Sequence, residues 1–208
     1  EGSIGGCWKE RSLKDLELDI LKLKSNSWCE SIGIFSYNAN YHTNIYEIAE
    51  ITKRYFNRTS LLASRADVYA QGLDFIELCK SLGSIKLSIA AEGMSERLRN
   101  SYLNKRLPKA DYYKAVLNIM SDKILTLKIN YILTGKETKE DFEEWVNDLA
   151  YFTEKKKELG YVTRLSVTIT NLEIYDMTAL GNEKRVMALE SYNYEDSNFI
   201  KEFLFYLG

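Results

Sequence analysis

The stretch Ser84–Arg99, SIKLSIAAEGMSERLR, constrains the fold more than any other part of the chain. Ile85, Leu87 and Ile89 alternate with Lys86, Ser88 and Ala90, the period of a strand with one apolar and one polar face. The strand then meets an acid, Glu92, a glycine, Gly93, and a polar segment from Ser95. A carboxylate at the C-terminal end of a parallel strand, beside a glycine turn, is where α/β folds place ligand-binding groups.

The rest of the chain repeats this strand in alternation with helices. Ser12 with Asp15 has the pattern of a helix N-cap ahead of Leu13, Leu16, Ile20, Leu21 and Leu23. Strands are expected over 31–37, 59–64, 84–91, 126–133 and 162–169. Between them, Thr43 or Asn44 caps a helix carrying Ile45, Ile48, Ala49, Thr52 and Phe56, and a helix over 73–82 closes at Gly83. A short helix over 95–103, one beginning at Pro108 and running to 123, and a long amphipathic helix ending at Gly160 follow. A terminal helix over 197–207 would present Phe199, Phe203 and Leu207. Strands joined through helices imply parallel pairing with right-handed crossovers.

The faces of those strands say more. Parallel strands covered by helices on both sides usually read as continuous apolar runs. Here one face is polar: Ser60 and Ser64 about Leu62; Lys86, Ser88, Ala90 and Glu92; Lys128 and Asn130; Ser166, Thr168 and Thr170. The expected architecture is therefore an open or closed barrel with outer helices and a wet, concave interior. Buried Lys and Glu are rare unless paired, so Lys86, Glu92 and Lys128 mark either a binding site or a set of charges that pair with one another.

With 208 residues, 45% hydrophobic and 28% charged, the chain reads as one globular domain, a barrel over 1–180 with a C-terminal extension over 181–208. A net charge of −2 argues against a surface built to coat nucleic acid. Cys7, Cys29 and Cys79 form no CxxC pair, which excludes a zinc ribbon and a disulfide framework and points to a reduced, cytoplasmic setting. No apolar run reaches the roughly 20 residues of a membrane-spanning helix. The lone His42 reads as a surface loop residue, Trp145, Leu149 and Phe152 as core at helical spacing, and Cys79 as a buried hydrophobe. Asp141, Glu143 and Glu144 suit a helix N-terminus, and Lys155, Lys156 and Lys157 suit its end.

Five segments, in order, carry a family resemblance. AAEGMSERLRNSYLNKRL resembles the fourth-strand region of radical S-adenosylmethionine (SAM) enzymes in the methylthiotransferase and cobalamin-associated branch, where the pattern is close to APEAGSERLR…NK. LKINYILTGKETKEDFEEWV is similar to that branch's fifth strand and helix, SLLASRAD to its third strand, and IGIFSYNANYHTNIYEI to its second. WKERSLKDLELDI is similar to the helix after the cluster loop. The resemblance implies a partial (β/α) barrel of parallel strands that binds SAM on a [4Fe–4S] cluster, whose one-electron reduction of SAM yields a 5′-deoxyadenosyl radical. It implies that Glu92 hydrogen-bonds the SAM ribose and that Arg97 or Lys128 lies near its carboxylate. It places Ser36, Asn38 and Arg65 on the SAM or substrate side and Thr168 and Thr170 beside the adenine.

The chain departs from that pattern in two places. The CxxxCxxC motif and the first strand are absent, so the cluster ligands are expected upstream of Glu1, and a missing segment or partner chain is expected to cover the strand at Ser31–Tyr37. Lys136 stands at a glycine position of the turn after the fifth strand, which would narrow the site. Two functions follow from the resemblance. One is a radical modification of an RNA, protein or small-molecule substrate. The other is a cluster-free, inactive relative that serves as a structural or interaction subunit.

Overall fold

The computed structural model describes residues 9–34, 39–61 and 64–172, and Lys9–Leu172 form one compact unit. The expected terminal helix lies outside the described residues. In chain order the elements are α1 (Leu13–Ser25), β1 (Ser31–Ile34), a 3-10 turn (Ala39–Tyr41), α2 (Ile45–Tyr55), β2 (Arg58–Leu61), α3 (Ala66–Gln71) and α4 (Asp74–Ser81). Then come β3 (Lys86–Glu92), a π-helical turn (Leu98–Tyr102), α5 (Lys109–Ser121), β4 (Thr126–Leu133), α6 (Lys139–Glu158) and β5 (Arg164–Asn171). None of the described helices is long and apolar enough to cross a membrane.

All the strand pairs are parallel, and neighbours follow chain order, but they form two small sheets rather than one: β1–β2 and β3–β4–β5. There is no closed barrel among the described residues. The expected β2–β3 ladder is replaced by two contacts at one end. The Thr59 N–H donates to the Leu82 carbonyl (2.9 Å), and Ser84 Oγ donates to the Thr59 carbonyl (3.1 Å). What lies beside β2 is thus the connection leading into β3, not β3 itself. On its other side β1 has no strand partner among the described residues.

The alternation read from the sequence is the alternation of burial. Leu87, Ile89 and Ala91 on β3 and Leu127, Ile129 and Tyr131 on β4 are buried, while Ser88, Ala90, Glu92, Lys128 and Asn130 between them are half-buried. The buried face packs on Tyr112, Val116, Ile119 and Met120 of α5 and on Trp145 and Phe152 of α6, with Tyr131 edge-on to Trp145 at 5.7 Å and Tyr112 edge-on to Phe152 at 5.4 Å. A smaller cluster, Ile20, Ile51 and Phe56 with Leu13, Ile32 and Tyr55, joins α1 and α2 to β1.

Some local differences have plain causes. The single helix expected over 73–82 is preceded by a further one, α3, because Gly72 breaks the helical run while Ala66, Tyr69 and Ala70 still bury a stripe. Gly83 closes α4 as expected: at φ +76° it lets its N–H reach the Lys80 carbonyl (2.8 Å) and the Ser84 N–H reach that of Cys79 (3.0 Å). The short helix expected over 95–103 widens into a π-helical turn, with the Leu103 N–H bonded to the Leu98 carbonyl at 2.9 Å.

Candidate functional site

The polar face of the three-stranded sheet is organised in rows across the register. Ser88, Lys128 and Ser166 align, and Ala90, Asn130 and Thr168 form the next row toward the strand C-termini. Asn130 Nδ2 donates to Ser88 Oγ (2.7 Å) and to the Ile89 carbonyl (3.3 Å), which fixes the amide across β3 and β4. Lys128 sits half-buried in the middle of this face and makes no hydrogen bond or ion pair among the described residues. Thr168 is half-buried, whereas Thr170 is exposed, its Oγ1 3.4 Å from the Tyr131 carbonyl. Lys86, expected inside with them, is exposed at the opposite end of β3.

Glu92 ends β3 in an unusual backbone. Its φ is +63°, and the register slips between Ala90 and Glu92, so that Ala90 faces Asn130 while Glu92 faces Tyr131. A bulge of this kind re-aims the side chain that follows it. The half-buried Glu92 carboxylate forms an ion pair with Lys105, not with Lys86 or Lys128. Asn104 (φ +50°) and Arg106 (φ +54°) flank Lys105, so three non-glycine residues in the left-handed region meet at one ion pair.

Arg65 approaches the same place from the end of β2. Its Nε contacts both oxygens of Asp67 (3.1 and 3.2 Å), its Nη2 donates to the Lys105 carbonyl (3.2 Å), and its guanidinium lies 5.5 Å from the Tyr41 ring centre. The Tyr41 hydroxyl donates to Asp67, and Asn40 exchanges two hydrogen bonds with the Arg65 backbone (3.2 and 3.3 Å). Burial favours the neutral acid, but the bonds from Arg65 and Tyr41 prevail and hold the Asp67 carboxyl below the usual range. Ser36 and Asn38, placed on this side by the resemblance, lie outside the described residues.

Arg97 faces elsewhere. Its Nη2 donates to the Lys136 carbonyl (2.8 Å), and its guanidinium pairs with Asp141, Nε to Oδ1 at 3.1 Å. Asp141 also accepts from Ser95 Oγ and from the Thr138 N–H (2.7 Å), completing the capping box of α6. Burial favours its neutral form, yet the bonds from Arg97, Ser95 and Thr138 outweigh it and hold the carboxyl at about 2. Glu137 folds the turn ahead of α6 by accepting from the Thr134 N–H (2.6 Å) and the Gly135 N–H (2.9 Å). The Lys136 side chain is exposed, and it is the Lys136 backbone that the site uses.

Beneath the strand ends lies a buried polar group that the sequence reading missed. Arg99 is fully buried, 4.8 Å above the Tyr112 ring, with Nη1 3.4 Å from the Gly93 carbonyl and Nη2 3.6 Å from Glu144. Fully buried Asp148 accepts from Tyr113 (2.6 Å) and pairs with Lys109 (2.9 Å). Tyr112 and Tyr131 share a hydrogen bond between them. Burial and the bond to Asp148 push the Tyr113 hydroxyl up to about 12. A signal was present in the sequence: Asp141 and Asp148 share one helical stripe with Trp145 and Phe152, which puts acids at core positions.

His42 is half-buried, its Nδ1 accepting from the Asn44 N–H (3.1 Å), so it is more tied down than a surface loop residue. Cys79 is buried as expected, and burial pushes its thiol up to about 12. Cys29 is exposed, and among the described residues no three His, Cys, Asp or Glu side chains are grouped to hold a metal. A comparison with protein-family models finds no match, and a comparison with curated proteins finds none.

Proposed function

We propose that this chain is a partial-barrel domain of the radical SAM type whose described residues bind the adenosyl and amino-acid portions of S-adenosylmethionine at the C-terminal ends of β3, β4 and β5. The observation that carries the reading is Lys128, a half-buried residue in the middle of a polar sheet face that makes no hydrogen bond or ion pair among the described residues. A cation so placed can pair with an anionic ligand group, here the SAM carboxylate. Glu92 supplies an acceptor for ribose hydroxyls, and the Asn130 and Thr168 row supplies neutral polar groups beside it. An ammonium, a carboxylate and neutral polar groups are the side-chain types that the carboxylate and ribose of SAM call for. They do not fit the [4Fe–4S] cluster, for which the described residues hold no thiolate trio, so no radical step is assigned to them.

A second reading has its own support. Glu92 is already paired with Lys105 and Arg97 with Asp141, which is what a cluster-free relative acting as a structural or interaction subunit would keep. Calorimetric titration of SAM into the native chain, Lys128→Met and Glu92→Gln separates the two. The binding reading expects saturable binding that each substitution weakens at least tenfold, or about 1.4 kcal/mol. Absence of saturable heat at about 1 mM SAM, where binding would be worth only about 4 kcal/mol, overturns it.

A further inference from the structure

Lys105 is held through its N–H, its carbonyl and its side chain at once. Its N–H donates to the Arg99 carbonyl (2.7 Å), its own carbonyl accepts from Arg65 Nη2 (3.2 Å), and two residues on, the Leu107 N–H is tied to Asn100 Oδ1 (2.7 Å). Both its neighbours, Asn104 and Arg106, lie in the left-handed region that non-glycine residues avoid. Such backbone persists where the surroundings over-determine it, and what this segment achieves is to bring one ammonium onto the Glu92 carboxylate.

We infer that Lys105 is the positioning residue for Glu92 and thereby sets the preference of the site for a vicinal diol. The inference rests on the ribose-binding reading above. The ion pair uses Oε1 of Glu92, and a carboxylate presents about four lone-pair positions on its two oxygens, so Oε2 and the second position on Oε1 remain for two ligand hydroxyls. Without Lys105 the carboxylate keeps its charge but loses the contact that fixes its direction on a bulged strand end. The ends of β2 and β3 share the task, because Arg65, itself gripped by Asp67, holds the Lys105 carbonyl.

The test compares adenosine with 2′,3′-dideoxyadenosine, two ligands that differ only in the diol. Titration into the native chain is expected to show a preference for adenosine of about tenfold or more, falling below about threefold in Lys105→Met and returning in Lys105→Arg. A thermal melt accompanies each variant, and Lys105→Gln reads the same ratio if Lys105→Met does not fold. A native chain that binds both ligands alike overturns the ribose reading and this inference together. A native preference that survives intact in the neutral Lys105 variant overturns the inference alone, leaving the ion pair a purely structural contact.

Discussion

A Cβ built on Gly93 would lie 2.5 Å from the backbone nitrogen of Arg99 and 2.8 Å from the Leu98 side chain. The turn after β3 folds back on its own chain at a distance only a hydrogen atom allows, and this close approach is why the chain has a glycine beside Glu92. Gly93→Ala must move backbone rather than a flexible side-chain end. We expect it to cost about 2–3 kcal/mol, in the upper range for overpacking. Denaturant unfolding checks this, and a loss below about 0.5 kcal/mol would show that the turn has room to relax.

Asp141 should make stability depend on acid. Its carboxyl is held at about 2 in the folded state against an ordinary 3.8, because the bonds from Arg97, Ser95 and Thr138 outweigh the effect of burial. A depressed acid contributes stability that is complete above its unfolded value and disappears as pH falls through its folded one. The contribution is about 2 kcal/mol at neutral pH, lost between about pH 5 and pH 2. Asp141→Asn should therefore be less stable than the native chain at pH 7 and match it near pH 2, as read by unfolding curves across that window. A gap that stays constant with pH would rule out this account.

Lys128 should show the opposite sign. Lys128 makes no hydrogen bond or ion pair among the described residues, so Lys128→Met removes no partner and is expected to be neutral or stabilising by up to about 1 kcal/mol while SAM affinity falls. A melt that drops by several degrees would place Lys128 among the structural charges instead.

The Tyr113–Asp148 bond predicts an optical change. Tyr113 ionises near 12 because burial and the acceptor Asp148 both oppose its phenolate. In Asp148→Asn the carboxylate's contribution is gone, and the spectrophotometric titration should show one tyrosine moving back toward 10. Removing the charge also leaves Lys109 without its nearer partner, at a cost of about 1 kcal/mol, because its side chain is 37% exposed and keeps Glu144 at 3.6 Å. An unchanged tyrosine titration would mean that burial alone sets Tyr113.

The sheet was legible in the sequence because burial follows a period of two: Leu87 and Ile89 inside, Ser88 and Ala90 beside them, repeated in β4. The Ser12 cap was legible for a similar reason, being local; Ser12 Oγ accepts from the Asp15 N–H at 3.2 Å. What escaped was set by backbone conformation and long-range partners. Nothing in AAEG announces that Glu92 takes a positive φ, which slips the register and turns its side chain toward a lysine 13 residues on. Arg99 sits in a run of charged residues that looks solvated, and only the π-helical turn carries it inward.

The gap between the two sheets gives the molecule a seam. Thr59 is stitched to Leu82 and Ser84 at one end, while at the other, Arg65 and Lys105 clasp the strand ends through side chain and backbone. Backbone ladders resist opening cooperatively, whereas a seam closed by a few point contacts opens at a lower free energy than either sheet unfolds. Among the described residues, the first βαβ unit, β1 through β2, is therefore expected to open more readily than β3–β4–β5. A molecule that seats across the Lys105 clasp is expected to announce itself first as slowed hydrogen exchange in β2, before the core of β3–β4–β5 registers it.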